Sequence, residues 1–159
     1  MTQTLSPASA ADWPEVSALL RASRLPTADL DEGSAPHFLI AREGAALAGC
    51  VAVEPYGAAG LLRSLAVAPE ARGHGLGARL VDAAEARARD AGLRALYLLT
   101  TTAAPFFAAR GYAPVDRTDV PEAVRQSSEF ASVCPASAAC LGKLLSPRDV
   151  EALARGSER

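Results

Sequence analysis

The stretch that decides the fold is Leu65-Ala66-Val67-Ala68-Pro69, followed closely by Arg72-Gly73-His74-Gly75-Leu76-Gly77 and a long amphipathic segment. Residues 61–67 are nearly all apolar and read as a strand, which Pro69 ends. Across 75–91, Leu76, Leu80, Ala84, Ala88 and Ala91 repeat at helical spacing, and Glu85 and Arg89 form an i, i+4 pair on the other face. Gly92 supplies the helix stop. Between strand and helix, Gly73, Gly75 and Gly77 alternate, so backbone N–H groups can converge on one point with no side chain in the way. The helix that starts there adds a positive dipole end. This arrangement suits a phosphate or pyrophosphate, and Arg72 is placed to add a charge-assisted contact.

Two other phosphate-binding patterns fail on these residues. A P-loop needs a lysine and a hydroxyl residue after its last glycine, and neither follows here. Gly73, Gly75 and Ala78 meet the dinucleotide fingerprint nominally, but the next strand, Ala95-Leu96-Tyr97-Leu98-Leu99-Thr100, has no acid for a ribose. The strands before the loop also read as antiparallel. Residues 37–41, 47–53 and 61–67 are joined by Gly-containing turns at 43–44 and 55–60, which is a meander.

Upstream, residues 4–6 alternate weakly as a short first strand, and 10–23 carry Trp13, Val16, Leu19 and Leu20 at helical spacing. The Pro/Asp/Gly-bearing connection 25–36 reads as a mobile loop. Downstream, 95–99 has the continuous apolar run of a strand buried on both faces. Pro105 opens a short helix that ends at Gly111. Residues 112–115 start another strand, 121–128 read as a short polar helix, and 139–144 as the last strand. The expected organisation is one mixed α/β domain over 1–145, followed by a polar, loosely attached tail over 146–159.

Composition narrows the function classes. With 159 residues the chain fits one domain with a real core. A net charge of −2 without a basic stripe argues against nucleic acid as a partner. No apolar run approaches the ~18 residues of a membrane span, and the N-terminus lacks a signal-peptide pattern. Cys50, Cys134 and Cys140 are odd in number and not spaced as C-x-x-C, so a disulfide framework is not expected and a reducing cytoplasm is. His37 and His74 have no partner at zinc-ligand spacing, so no metal is expected.

Arg72, Gly75 and Gly77 match the [QR]-x-x-G-x-[GA] signature, and the order of elements from Thr4 to Leu144 is similar too, so the chain resembles the GNAT superfamily of GCN5-related N-acetyltransferases. The resemblance implies a GNAT-like α+β domain with a mixed, mostly antiparallel sheet of about six or seven strands flanked by helices. It also implies acetyl-CoA as cosubstrate and a small-molecule amine as acceptor. The backbone of Leu65, Ala66 and Val67 would pair with the pantetheine arm, and the amides of Arg72, Gly73, His74, Gly75, Leu76, Gly77 and Ala78 would hold the pyrophosphate. A narrower resemblance rests on L-L-R-S-L-A-V at 61–67, L-L-T-T-T-A-A-P-F-F at 98–107 and E-F-A-S-V-C-P-A-S-A at 129–138. These look like the arsenic-resistance N-acetyltransferase branch, which implies detoxification of an amino-bearing or arsenic-related compound. Whether such a chain forms a homodimer stays open.

The chain departs from the family pattern at two places. The tyrosine proposed in many relatives to protonate the departing thiolate is replaced by Phe107, four residues before Gly111. The common asparagine at the end of the buried strand is Thr100, whose hydroxyl can still meet a pantetheine amide. Tyr112 and Tyr97 are expected in the core rather than as substitutes. Arg63, a charge in an otherwise apolar strand, reads as a fork for an acceptor oxyanion or as a sheet residue paired with Glu54. Glu54 is a candidate general base through water, or an ordinary surface carboxylate. His74 lines the phosphate loop or faces solvent. Cys134 either meets trivalent arsenic or packs as a small hydrophobe. A catalytic transferase and a non-catalytic acetyl-CoA- or arsenical-binding sensor both follow from this pattern.

Overall fold

The computed structural model describes residues 3–133 and 137–145. Seven strands form one sheet: β1 (Thr4–Pro7), β2 (Phe38–Glu43), β3 (Ala46–Tyr56), β4 (Ala59–Val67), β5 (Ala95–Thr100), β6 (Ala113–Pro114) and β7 (Ala139–Leu144). Their spatial order is β1-β2-β3-β4-β5-β7-β6, antiparallel except for the β4–β5 pair. Among the described residues four α-helices accompany them: α1 (Trp13–Ala22), α2 (Leu76–Asp90), α3 (Ala104–Ala109) and α4 (Glu122–Arg125). Among the described residues no helix is long and apolar enough to cross a membrane.

Strand alternation divides the core in two. Leu39, Ala41, Val51 and Leu62 point to one face and pack with Leu76, Leu80, Ala84 and Ala88 of α2 and Phe107 of α3. Phe38, Ile40, Cys50, Ala52 and Ala66 point to the other face and pack with Val16 and Leu20 of α1. A third cluster joins Leu61, Val124 of α4 and Cys140 at the far end of the sheet. Helix α2 fits where it does because Gly49 has no side chain. A Cβ there would lie 2.9 Å from the Leu80 Cδ1 atom and from the Ala66 carbonyl oxygen.

Several boundaries move for local physical reasons. The β3–β4 turn shrinks to two residues because Gly57 takes φ +68, so both strands extend past the expected 55–60 turn. The connection 25–36 is not all loop. Glu32–His37 forms a 3-10 turn that Asp31 caps by accepting from the Gly33 N–H at 2.9 Å, with Ala35 buried beneath. Glu85 does not pair with Arg89, as it is 5 % exposed and faces inward. It accepts from the Tyr112 hydroxyl at 2.9 Å and from Lys143 Nζ at 2.9 Å, while Arg89 donates to the Leu145 carbonyl. The expected tail 146–159 and Cys134 lie outside the described residues.

Candidate active site

The site begins with a break in one ladder. Cys50 pairs with Ala66 and Ala52 with Arg63, so β4 carries one more residue than β3 across this interval. The extra residue forms a bulge at Ser64, whose φ of +60 lies in the left-handed region that side chains rarely adopt. The bend turns the second half of β4 away from its parallel neighbour. Pairing with β5 covers Ala59, Gly60 and Leu61 alone. Beyond it the strands part, leaving a cleft of ≈ 370 Å³ lined by 62–67 of β4 and 98–103 at the end of β5. That volume is within the range of ligand sites.

The freed edge of β4 presents backbone that no neighbouring strand pairs. The Ala68 N–H bonds the Ala48 carbonyl, so the antiparallel alternation turns the N–H and C=O of Val67 away from β3, toward the cleft. Arg72 Nε donates to that carbonyl at 3.0 Å, which fastens the glycine loop to the strand end. Gly73 and Gly75 take φ +86 and +77, and a Cβ on either would meet nothing within 4 Å, so both open onto free space. Gly75 caps α2 and has no side chain to bond the N–H groups of the first turn, which stay available to a ligand. Leu76 is buried under the loop, Gly77 and Ala78 are half-buried, and His74 is exposed. A short amide-bearing arm at β4 and a phosphate at the start of α2 fit these features.

Leu65, Ala66, Val67, Arg72, Thr100 and Phe107 all line the cleft. The Thr100 hydroxyl accepts from the Ala103 N–H at 2.9 Å, which orders the entry to α3 and leaves its own O–H to donate elsewhere. Phe107 is 5 % exposed, with its ring edge-on to Phe106. Tyr112 is buried as expected, and burial followed by the Glu85 charge pushes its phenol above the usual tyrosine range. Tyr97 is half-buried, its ring packed against Gly142.

Arg63 lines the other end of the cleft, but its guanidinium does not stand open. Its side chain is fully buried, and Asp29 receives it at 2.5 and 2.9 Å through both carboxylate oxygens. Glu54 lies 3.5 Å from the same group and Glu129 lies 3.6 Å from Nε. Burial is the largest single influence on Asp29 and works against its charge, but the hydrogen bond and positive charge of Arg63, with a backbone hydrogen bond, together outweigh it and hold Asp29 below the usual aspartate value. Glu54 also accepts from the Tyr56 hydroxyl at 3.2 Å, and burial followed by this carboxylate pushes Tyr56 up to about 12. Glu129 borders the cleft. Neither Cys50 nor Cys140 is among the residues that line the cleft, although the Cys50 thiol donates to the Ser64 carbonyl at 3.4 Å, and burial raises both thiols, Cys50 to about 12.

Sequence reasoning missed the Ser64 bulge and Asp29. A serine at positive φ has no sequence signature, and Asp29 sits in a connection with no periodicity. Glu129 was visible only as the start of a motif. A second, smaller hollow of ≈ 150 Å³ lies under α2, lined by Pro36, Leu39, Val51, Ala84 and Leu93. It is largely apolar, with His37 and Arg87 also in its lining, and shares no lining residue with the cleft.

A splayed β4–β5 pair, with a glycine loop feeding a helix at one end and a charged cluster at the other, is an arrangement suited to an extended, phosphate-bearing ligand along a strand edge. The acetyltransferase (GNAT) family model matches residues 3–113, and the chain belongs to that family. It is 38% identical over 88 residues to an amino-acid acetyltransferase of Ralstonia nicotianae, covering 54% of this chain and 20% of that protein. It is 45% identical over 78 residues to an amino-acid acetyltransferase of Pseudomonas putida, covering 48% of this chain and 18% of that one. The chain thus spans about a fifth of the length of these curated relatives. Among solved structures it is similar to N-acetylglutamate synthase from Neisseria gonorrhoeae complexed with coenzyme A and N-acetyl-glutamate. The TM-score is 0.81 at 25% identity, over 91% of this chain and 35% of that one. Rv2747 from Mycobacterium tuberculosis, in complex with CoA, shares the fold at a TM-score of 0.76 and 22% identity, over 89% of this chain and 99% of that one.

Proposed function

We propose that this protein transfers the acetyl group of acetyl-CoA to the amine of a small, amino-acid-like acceptor, in a reducing cytoplasm. The observation that carries the reading is the splay of β4 from β5 between the glycine loop and Arg63. One cleft then offers the outward Val67 backbone to a pantetheine amide and the start of α2 to a pyrophosphate. The acceptor nitrogen gives up its proton to a base, Glu54 through water being the candidate, and attacks the thioester carbonyl; a strand N–H near Leu65 meets the oxyanion, and the C–S bond breaks to release CoA. Phe107 has no proton for the departing thiolate, which leaves as the anion or takes its proton from another group. After Asp29, which grips Arg63, Glu54 and Glu129 are the next carboxylates at the acceptor end, and of the two Glu129 borders the cleft.

The amino-acid class is supported by the two curated relatives and by the N-acetyl-glutamate held in the gonococcal structure. An arsenic-bearing amino compound is the second acceptor class. What favours it is that Glu129, the first residue of the motif at 129–138, borders the cleft. Free-thiol release from acetyl-CoA, measured with proteinogenic amino acids, phosphinothricin-like amino acids, arsenicals and amines lacking an acid, tests both. Release that depends on at least one amino acid is expected. Binding of acetyl-CoA with no release on any acceptor would favour a non-catalytic sensor instead.

A further inference from the structure

Arg63 is a buried cation in the wall of the cleft, and the carboxylate that satisfies it comes from a loop of the same chain. Asp29 grips the guanidinium through both oxygens, at 2.5 and 2.9 Å. This is the fork geometry by which a free carboxylate would be held. On the acetyltransferase reading above, we infer that Asp29 is an internal competitor for the acceptor's oxyanion. It is a tethered carboxylate that occupies the Arg63 fork until an acceptor acid replaces it, and so it sets which acceptors bind and how tightly.

The surroundings allow such an exchange. The Asp29 side chain keeps 13% exposure while that of Arg63 has 0%, so the carboxylate has a route to water and the guanidinium has none. Ser23, Leu25 and Pro26, on the same connection as Asp29, already line the cleft. Arg63 is held in place by the strand and by its Nε contact to the Ser64 hydroxyl at 3.3 Å. When Asp29 turns outward, Glu54 and Glu129 still face the guanidinium at 3.5 and 3.6 Å. The cation is therefore never buried without a counter-charge, the circumstance that makes loss of one partner costly. A carboxylate tethered this way competes at an effective concentration on the order of millimolar. A free acid must outbid it through further contacts, which confines tight binding to acceptors that fill the rest of the cleft.

The test is Asp29→Asn, which keeps the shape and removes the charge, with Asp29→Ser as the alternative should the first not fold. L-glutamate is compared with its two monoamides, glutamine and the α-amide isoglutamine, each lacking a different one of its two carboxylates. In the variant, kcat/KM for glutamate should rise relative to at least one monoamide by about 10- to 150-fold, the range of a charge-assisted hydrogen bond. A purely structural Asp29 would lower all three together, and an unchanged ratio overturns the inference. Should neither protein turn over any of the three, the heat of L-glutamate binding to CoA-loaded protein decides. Binding at least tenfold tighter in the variant supports the inference, and equal or absent binding in both overturns it. The acetyltransferase reading itself fails differently, by giving no thiol release with any amine.

Discussion

The ring of Phe107 meets the ring of Tyr112 edge-on, with centroids 5.5 Å apart and planes at 75°. The position where many relatives carry a tyrosine is thus a core phenylalanine, while the nearby phenol turns away to bond Glu85. Phe107→Tyr should therefore change turnover only modestly, because the native site manages without a proton donor there. Steady-state kinetics checks this. A gain of more than about a hundredfold, the lower end of general-acid contributions, would mark the native chain as a disabled enzyme.

Tyr112→Phe separates packing from chemistry. Glu85 keeps Lys143 as its partner at 2.9 and 3.1 Å, so one charge-assisted hydrogen bond is lost from a buried network. Stability should fall by about 1.5–3 kcal/mol in urea denaturation. Turnover should hold, since the hydroxyl takes no part in the cleft. A large loss of kcat with unchanged stability would place Tyr112 in the reaction instead.

Gly75→Val should abolish acetyl-CoA affinity. The residue takes φ +77, so a β-branched side chain is strained by about 1–2 kcal/mol. That side chain would also enter the open space in front of the α2 N-terminus. Calorimetry on the folded variant should show at least a hundredfold weaker binding, against a modest fall in Tm.

The Asp29–Arg63 pair predicts an acid limb in stability. The folded value of Asp29 is depressed, so its contribution is fully present above the ordinary unfolded value of about 4 and is lost as pH falls through the lower folded value. The stability gap between wild type and Asp29→Asn should be widest at neutral pH and close below about pH 4. Denaturation midpoints at pH 7 and pH 3 test this, and an equal gap at both would contradict it.

Much of the fold was legible because periodicity and turn residues report local physics. The α2 helix, the meander and the loop at 72–77 stand where the apolar spacing and the glycines put them. Arg63 was visible as a charge in an apolar strand, and its proximity to Glu54 follows from neighbouring strands. Its dominant partner was not visible, because Asp29 is 34 positions away on an irregular connection. Glu85 misled in the same way. Its spacing to Arg89 suggested a surface pair, whereas strand β7 brings Lys143 over it. The opening of the cleft was hidden as well, since it follows from one extra residue in β4 at Ser64, just beyond the point where pairing with β5 ends.

The central claim is that the freed edge of β4 and the start of α2 are where acetyl-CoA lies, and hydrogen exchange measures it directly. Addition of acetyl-CoA should slow exchange at the amides of 65–67 and 73–78, with little change over the apolar hollow under α2 at 84–93. Protection confined to that hollow, or none at 65–67 despite saturable binding, would contradict the account.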